Sequence, residues 1–287
     1  MDRSVTSSRR IPPSASADTS ARIRLVAIDL DGTLLNDKKE ISRQTAAALH
    51  SLPASGIKVI IASARPPRSV RQIYRQLRLD TWQINYNGAL IWDEPANRAI
   101  FHQPMPGALA RAIIDLARAQ SDAFLASCEI LDKWFTDRVD PRHTTETSRL
   151  FQPDVIAPLD QFCDQPITKV LLQGEPSAID ELESVLTRDF TGKISIVRTE
   201  PVLLQITDKN VSKAAALKMV ARHYNVPLQQ TLAIGDAPND LEMLQLAGVA
   251  IAMDNAHPSI KQAAHWIAPS NNDHGVHAAL VKYGLAS

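Results

Sequence analysis

The chain contains the stretch LVAIDLDGTLL at residues 25–35, in which an apolar run leads directly into two aspartates separated by one residue. This spacing predicts a buried strand that delivers Asp29 and Asp31 to its carboxyl end, where Gly32 permits a tight turn. Ligands of open α/β sheets bind at that edge. Two carboxylates held this close repel each other unless a cation or a shared proton offsets their charge, so the pair suits a hard metal ion. A solvated Asp-Gly turn after a strand explains the same stretch, and only the rest of the chain separates the two interpretations.

The composition indicates a folded protein with no general attraction for polyanions. Of the 287 residues, 45% are hydrophobic, and 31 lysines and arginines balance 31 acidic residues. A net charge of zero gives no pull towards nucleic acid or an anionic membrane, and no apolar run is long enough to span a bilayer. The cysteines, Cys128 and Cys163, are far apart in the sequence and form no metal-binding pair, which favours a reduced, cytoplasmic setting.

Alternating strands and helices predict an α/β fold with a Rossmann-like parallel-sheet core. Residues 1–21 are rich in Ser, Arg, Pro and Ala and predict a disordered N-terminal tail. Strands and helices then alternate, and after a central region of mixed strands, helices and prolines the same alternation returns. We therefore expect a core formed by residues 22–88 and 201–287, with an inserted α+β cap domain over residues 89–200.

Four separated segments place a reactive polar side chain where an apolar strand ends or a helix begins. Because the carboxyl ends of parallel strands meet at one edge of a sheet, we expect these side chains to converge. Carboxylate oxygens suit Mg²⁺, a hydroxyl donates to a phosphoryl oxygen and a lysine neutralises its charge, so the set indicates phosphoryl transfer. The segments contain Asp29 and Asp31, Ser63, Lys213, and Asp236 with Asn239 and Asp240.

As an ordered set, these segments resemble the motifs of the haloacid-dehalogenase-like superfamily over residues 24–280. The motifs are DLDGTL at 29–34, SAR at 63–65, Lys213 and GDAPNDLEM at 235–243. Further segments resemble the Cof-type sugar-phosphatase branch, whose members carry a large α/β cap: NGA at 87–89, AMDNA at 252–256 and NDHGV at 272–276. Each motif alone is weak, and the order of the whole set makes it specific.

The resemblance implies a Mg²⁺-dependent phosphatase that hydrolyses small phosphate monoesters through an aspartyl-phosphate. Asp29 resembles the nucleophile of the family, and Asp31 resembles the general acid that later activates water. Asp29, Asp236 and the backbone carbonyl of Asp31 resemble the metal ligands, and Asp240 resembles a supporting acid.

The resemblance also implies a set of contacts with the phosphate or the substrate. The residues at the matching positions are Ser63, Ala64 through its amide, Lys213 and Asn239. Three positions depart from the family pattern, because Ala64, Ala214 and Asp254 stand where glycine is frequent. Asp254 tolerates a positive φ better than most residues, but it adds a negative charge near an anion site.

Two other functions stay open at this point. A phosphosugar mutase would pass the phosphoryl group to a second hydroxyl instead of water, and a non-catalytic sensor would bind a phosphorylated ligand without turnover. The intact acids and Lys213 argue against the sensor. The expected partner is a small phosphorylated metabolite, bound by a monomer or a small homo-oligomer.

Several other side chains have an ordinary structural interpretation. A series of arginines at helical spacing predicts a solvated helix face, and it comprises Arg68, Arg71, Arg75 and Arg78. Arg65 fits a contact with the cap or a surface ion pair equally well. For the pair Trp134-Phe135, packing in the core of the cap is favoured over stacking on a substrate ring.

Overall fold

The computed structural model describes residues 23–142, 144 and 146–287, so the predicted tail at 1–21 lies outside the described residues. In the described ranges the strands are β1 (Leu25–Ile28), β2 (Lys58–Ile61), β3 (Trp82–Asn85), β4 (Leu90–Asp93), β5 (Arg98–His102), β6 (Leu125–Ile130), β7 (Lys133–Thr136), β8 (Val155–Ile156), β9 (Lys169–Gln173), β10 (Ile194–Glu200), β11 (Leu203–Asp208), β12 (Thr231–Gly235), β13 (Val249–Met253) and β14 (Trp266–Ala268).

The α-helices of the same ranges alternate with these strands. They are α1 (Arg43–Ser51), α2 (Pro67–Leu77), α3 (Gly107–Gln120), α4 (Glu146–Leu150), α5 (Pro176–Asp189), α6 (Lys213–His223), α7 (Leu241–Leu246), α8 (Pro258–Ala263) and α9 (Gly275–Lys282). A serine hydroxyl caps the first turn of α1 and of α6: that of Ser42 accepts from Thr45 N, and that of Ser212 accepts from Ala215 N.

The core sheet has five parallel strands in the order β14-β13-β12-β1-β2. All residues of β1 and β12 are buried, as expected for a parallel sheet covered by helices on both faces. Strand β1 pairs with β12 on one side and with β2 on the other. The parallel α/β core predicted from the sequence is therefore confirmed, and β1 delivers its two aspartates between neighbouring strand ends.

Strand β3 differs from its predicted place in a purely parallel series. A single parallel bridge, Ala62 to Ile84, joins it to the end of β2, and its main pairing is antiparallel to β4 in the sheet β3-β4-β5. The reversal follows from three consecutive residues with positive φ, Tyr86, Asn87 and Gly88. At Gly88 a Cβ atom would collide with the carbonyl of Ser212, so the turn requires glycine there.

The hairpin of β4 and β5 is not predicted from the sequence. Asn97, at a φ of 50°, lies in its turn, and Ile91 and Trp92 face different apolar clusters. Because β4 pairs with β3, the hairpin lies beside the core strands although its residues follow position 89. The division of the chain at 89 and 200 stays a prediction.

The cap contains a six-stranded sheet in the order β10-β11-β9-β6-β7-β8, in which strand β11 lies beyond the predicted limit at 200. One face is apolar and packs against α3 and α5. Val170 and Leu172 of β9 belong to the same apolar cluster as Ile179 of α5. The buried thiols of Cys128 and Cys163 meet in the same cluster and hydrogen-bond to each other. The other face turns towards the core sheet.

Among the helices that the structure describes, we find none that is both long and apolar enough to cross a membrane.

Candidate active site

Side chains from three neighbouring strands of the core sheet meet at its carboxyl edge. Asp29 directly follows β1, Asp236 directly follows β12, and Ser63 lies just beyond β2. Because β12, β1 and β2 are adjacent and parallel, these three strand ends lie side by side. The fold thus brings together residues from both ends of the sequence.

Three carboxylates form a compact group at this edge. Oxygen atoms of Asp29, Asp236 and Asp240 all lie within 4.8 Å of one another. Burial and the charge of Asp240 raise the pKa of Asp29 well above its usual range, although Lys213 opposes the shift. Burial likewise raises the pKa of Asp236 to about 6, although the hydrogen bond that its Oδ1 accepts from the Thr33 hydroxyl, at 2.7 Å, acts to lower it. Burial and the neighbouring carboxylates therefore disfavour the ionised forms of Asp29 and Asp236, and a bound cation would favour them.

Lys213 is the cation inside this group. Its ammonium donates to Asp29 and, at 2.7 Å, to Asp240, and its side chain has no exposed surface. Burial alone would lower the pKa of Lys213, but the charges of Asp240 and Asp29 hold it above the ordinary value. A lysine in the first turn of α6 opposes the helix dipole, and the two ion pairs give a physical reason for its presence there.

Asp240 fixes the loop that carries Asp236. Its Oδ2 accepts the backbone N–H groups of Asp236 and Ala237, each at 3.1 Å, while its Oδ1 accepts from Lys213. A Cβ atom at Gly235 would lie 2.6 Å from the Cβ of Asp240, so this glycine makes room for the side chain. Asp240 is fully buried and thus supports both the loop and the lysine.

The carboxylate of Asp31 turns away from the three-acid group. It accepts two hydrogen bonds from the Arg65 guanidinium, at 2.6 and 2.7 Å, and one from Lys39 at 2.9 Å. Burial would raise the pKa of Asp31, but the bonds from Arg65 and Lys39 lower it below the usual value. Of the two contacts considered for Arg65, the structure shows the ion pair. Its partner is Asp31, in the loop that follows β1.

The residues expected to hold a phosphate surround the same edge. Ser63 is buried, and its Oγ accepts the backbone N–H of Arg65 at 3.1 Å. The carbonyl of Ala64 accepts from Lys169 of the cap at 3.2 Å. Asn239 donates to the Oδ1 of Asn87 at 2.9 Å, which links the loop after β12 to the turn after β3.

A cavity of about 250 Å³ lies between this edge and the polar face of the cap sheet. From the core it is lined by Asp29, Asp31, Ser63, Ala64 and Asn239, among others. The cap contributes lining residues that the sequence did not indicate, among them Ser127, Glu129, Lys169, Gln173 and Gln205, and it also contributes Trp134, for which the sequence favours core packing. A usable signal is present, because polar residues alternate with apolar ones along β6, β9 and β11, which indicates strands with one polar face.

Two structural interpretations made from the sequence are wrong. Arg68 does not lie on a solvated helix face, because it is buried and donates to both oxygens of Glu129, at 2.7 and 2.9 Å. Trp134 lines the cavity, whereas its neighbour Phe135 packs in the apolar cluster of the cap as expected. Both errors involve the polar face of the cap sheet, which buries Arg68 and carries Trp134 into the cavity. The sequence next to these two residues does not by itself indicate their contact with this face.

Asp254 is not among the residues that line the cavity. It is absent from the positive-φ positions among the described residues, and its exposed carboxylate accepts from Lys261 at 3.0 Å. Its neighbour Asn255 donates to the carbonyl of Gly32 at 2.8 Å. Ala214 is half-buried in α6, next to Lys213, where alanine suits the helix.

Gly32 should be sensitive to substitution for two separable reasons. Its φ is +80°, and a Cβ atom there would collide with Oδ2 of Asp236. We expect Gly32→Ala to lower the free energy of unfolding by about 1–3 kcal/mol and to displace Asp236, with loss of activity. Gly56→Ala is the matched control, because Gly56 has a φ of +77° and no atom within 4 Å of the added Cβ. Equal activities of the two variants in a turnover assay would contradict the expected collision.

A parallel α/β core with carboxylates and a lysine at its carboxyl edge, covered by an inserted cap, defines the class of haloacid dehalogenase-like hydrolases. The model of this family matches residues 26–280, so the chain belongs to it. Phosphatase YwpJ of Bacillus subtilis is 30% identical over 92% of this chain and 100% of its own. A 5-amino-6-(5-phospho-D-ribitylamino)uracil phosphatase, YitU of Bacillus subtilis, is 29% identical over 90% of this chain and 97% of its own. A haloacid dehalogenase-like hydrolase from Bacteroides thetaiotaomicron, solved by crystallography, superposes with a TM-score of 0.81 at 27% identity, over 91% of this chain and 99% of that one.

Proposed function

We propose that the protein is a Mg²⁺-dependent phosphoric monoester hydrolase that acts on small phosphorylated metabolites through an aspartyl-phosphate on Asp29. The observation that supports this proposal most strongly is the buried Lys213, which joins Asp29 and Asp240 beside Asp236 at the carboxyl edge of the sheet. The two Bacillus subtilis relatives named above are phosphatases, and one is named for a small phosphorylated metabolite.

Two aspartates divide the chemistry in this proposal. The carboxylate of Asp29 attacks phosphorus, and the bond from phosphorus to the leaving oxygen breaks as Asp31 protonates that oxygen. Asp31 then removes a proton from the water that hydrolyses the aspartyl-phosphate. Because Asp31 is held by Arg65 and Lys39, it has to exchange these hydrogen bonds for the substrate before it acts as an acid.

The remaining site residues bind and orient the phosphoryl group. In this proposal Ser63 Oγ, the amide of Ala64 and the side chain of Asn239 donate to its oxygens, and all three residues line the cavity. Lys213 holds Asp29 in place and offsets the negative charge that builds up when a dianionic substrate enters.

The acidic group fits a magnesium ion. Its carboxylate oxygens are hard ligands within reach of one another, and burial raises the pKa values of Asp29 and Asp236, so a bound cation would favour their ionised forms. Asp29, Asp236 and the backbone carbonyl of Asp31 would hold the ion. When bound, it would supply positive charge that offsets the carboxylates and the phosphoryl oxygens.

Metal dependence gives a direct test of this assignment. We expect a chelator to abolish phosphate release and Mg²⁺ to restore it. Asp236→Asn should raise the Mg²⁺ concentration for half-maximal rate by about tenfold or more, because it removes an anionic ligand. Asp254→Asn serves as the control, since Asp254 is an exposed acid paired with Lys261. Full activity in the chelator would contradict the proposed metal site.

The reaction class is tested by incubating the protein and Mg²⁺ with a panel of phosphorylated metabolites and measuring inorganic phosphate. A hydrolase releases phosphate whether or not a second sugar is present, whereas a mutase forms a new phosphate ester with the acceptor. Tight binding of several panel members without turnover would instead indicate a sensor and contradict the proposal.

The proposal extends to the setting of the site. The inserted cap, with its predicted limits at 89 and 200, would exclude water during the first step, and the ion pair of Arg68 with Glu129 fits a closed cap. A cytoplasmic monomer or small homo-oligomer is part of the same proposal, and the two free, buried cysteines suit a reducing compartment.

A further inference from the structure

The polar face of the cap sheet is built by strand register. Glu129 of β6 pairs with Lys169 of β9, so their side chains share one face. On the same face, Gln173 pairs with Leu203 of β11, and Gln205 lies opposite Leu171. Four polar side chains of this face have at most 7% of their surface exposed, and they are Glu129, Lys169, Gln173 and Gln205. This face therefore forms the wall of the cavity opposite the catalytic edge.

The strongest hydrogen-bond acceptor on this wall is already engaged. Both oxygens of Glu129 accept from the Arg68 guanidinium, and one of them also accepts from the Tyr86 hydroxyl at 3.1 Å. The Oε1 of Gln205 accepts from Lys169 at 2.9 Å. Glu200 also lines the cavity and is only half-buried. Beside Lys169, the carboxylate of Glu129 and the Oε1 of Gln205 are therefore already engaged by protein donors.

Several hydrogen-bond donors on this wall, in contrast, have no acceptor or fewer acceptors than they have N–H groups. The ammonium of Lys169 has three N–H groups and donates to two partners, the carbonyl of Ala64 and Gln205. Throughout the described ranges, no carboxylate forms an ion pair with Lys169 within 4 Å. The Nε2 of Gln173 and the Nε1 of Trp134 are buried without a hydrogen-bond partner.

Lys169 is a cation at neutral pH. Burial lowers the pKa of Lys169 to about 8. The negative charge of Glu129 raises this pKa, and the positive charge of Arg68 lowers it further. The ring of Tyr86 lies 4.9 Å from the Lys169 ammonium and stabilises its positive charge.

We propose that this wall, with Lys169 at its centre and Gln173 and Trp134 beside it, binds a second anionic oxygen group on the leaving group of the substrate. This inference rests on the proposed function, since it takes the first anionic group to be the phosphoryl group at Asp29. A carboxylate and a second phosphoryl group both have the required chemistry, namely negative oxygens that accept from an ammonium and from amide or indole N–H groups. Because Lys169 also touches the backbone of Ala64, the second group would lie next to the loop that contacts the first.

The test measures binding separately from turnover. Asp29→Asn binds substrates without cleaving them, and isothermal titration calorimetry with Mg²⁺ gives their dissociation constants. The ligands are matched sets that differ at one end: glycerol 3-phosphate against 3-phosphoglycerate, and glucitol 6-phosphate against 6-phosphogluconate and glucitol 1,6-bisphosphate. We expect an anionic member of at least one set to bind about tenfold or more tightly than its neutral counterpart. The carboxylate and bisphosphate arms then show which anion fits.

Adding Lys169→Met to this variant should reduce the preference to within about twofold and change the neutral ligands little, since only the second anion loses its partner. Gln173→Leu should reduce the preference by a smaller factor without removing the cation. Lys133→Met is the matched control, because Lys133 is an exposed lysine on the neighbouring strand β7.

Two outcomes would overturn the inference. One is equal binding of anionic and neutral members in both sets. The other is a similar loss of binding for every ligand on Lys169→Met, which would assign Lys169 to the transferred phosphoryl group. Failure of the proposed function is a separate result, seen as an absence of phosphate release by the unmodified protein from p-nitrophenyl phosphate and from all of these esters.

Discussion

Asp29→Asn should lower kcat by about 10⁴-fold or more, because an amide cannot replace the carboxylate as the nucleophile that forms the covalent intermediate. The fold should survive the change. The pKa of Asp29 is raised in the folded protein, which means that the ionised carboxylate destabilises the fold relative to the neutral group. Replacing the carboxylate by an uncharged amide therefore removes no stabilising charge. Lys213 keeps its second partner, Asp240, at 2.7 Å.

Turnover of p-nitrophenyl phosphate and thermal unfolding together check this prediction. We expect a melting temperature equal to or above that of the unmodified protein, since removal of one charge relieves the repulsion among three neighbouring carboxylates. Asp37→Asn is a suitable control, because Asp37 lies near the same edge but is bound by Asn271 and Asn272. Retention of activity within about tenfold by Asp29→Asn would remove Asp29 from the nucleophile's role.

Lys213→Met should impair both stability and turnover. The substitution keeps most of the side-chain volume but leaves Asp29 and Asp240 buried without their cation. Breaking a buried ion pair from one side lowers the free energy of unfolding by about 3–5 kcal/mol. We expect turnover to fall by about 10²-fold or more, because the lysine orients the nucleophile and offsets charge at the reacting phosphoryl group.

Chemical denaturation with and without Mg²⁺ separates these contributions. If the acids form the metal site, Mg²⁺ should recover part of the stability of Lys213→Met, because it supplies positive charge to the same carboxylates. Lys218→Met provides the control, since Lys218 is an exposed lysine on the same helix. An unchanged free energy of unfolding in Lys213→Met would show that the ion pairs do not stabilise the fold.

Local patterning was enough to predict the core. The run of β1 is apolar and fully buried, and the strand sequences of β2, β12 and β13 read in the same way, so their parallel pairing follows from burial on both faces. Strand β3 could not be placed from its own sequence, because the chain reverses after it through positive φ angles at Tyr86 and Asn87, and the Gly88 that follows lies against Ser212, which is distant in the sequence. Tyrosine is uncommon at positive φ, so no local rule points to a turn there.

The burial of charged residues was the least predictable property. Arg68 has the spacing of an exposed helix face, and the approach of Glu129 and Asp132 from the cap makes its burial favourable. Lys169 and Gln173 share one face of β9 because they are four residues apart on the strand. Only the register of β6, β9 and β11, strands that are distant in the sequence, places Glu129 and Gln205 beside them.

The sequence by itself determined the alternation of buried strands and helices, and it placed acids and a lysine at strand ends and a helix start, because periodicity and turn chemistry are local properties. The tertiary structure alone decided which charges meet. It paired Lys213 with two acids from distant segments, turned Asp31 towards Arg65 and set the donors of the cap opposite the catalytic edge. The physical reason is that the energy of a charge depends on its burial and on its neighbours within a few ångströms, and chain folding sets both.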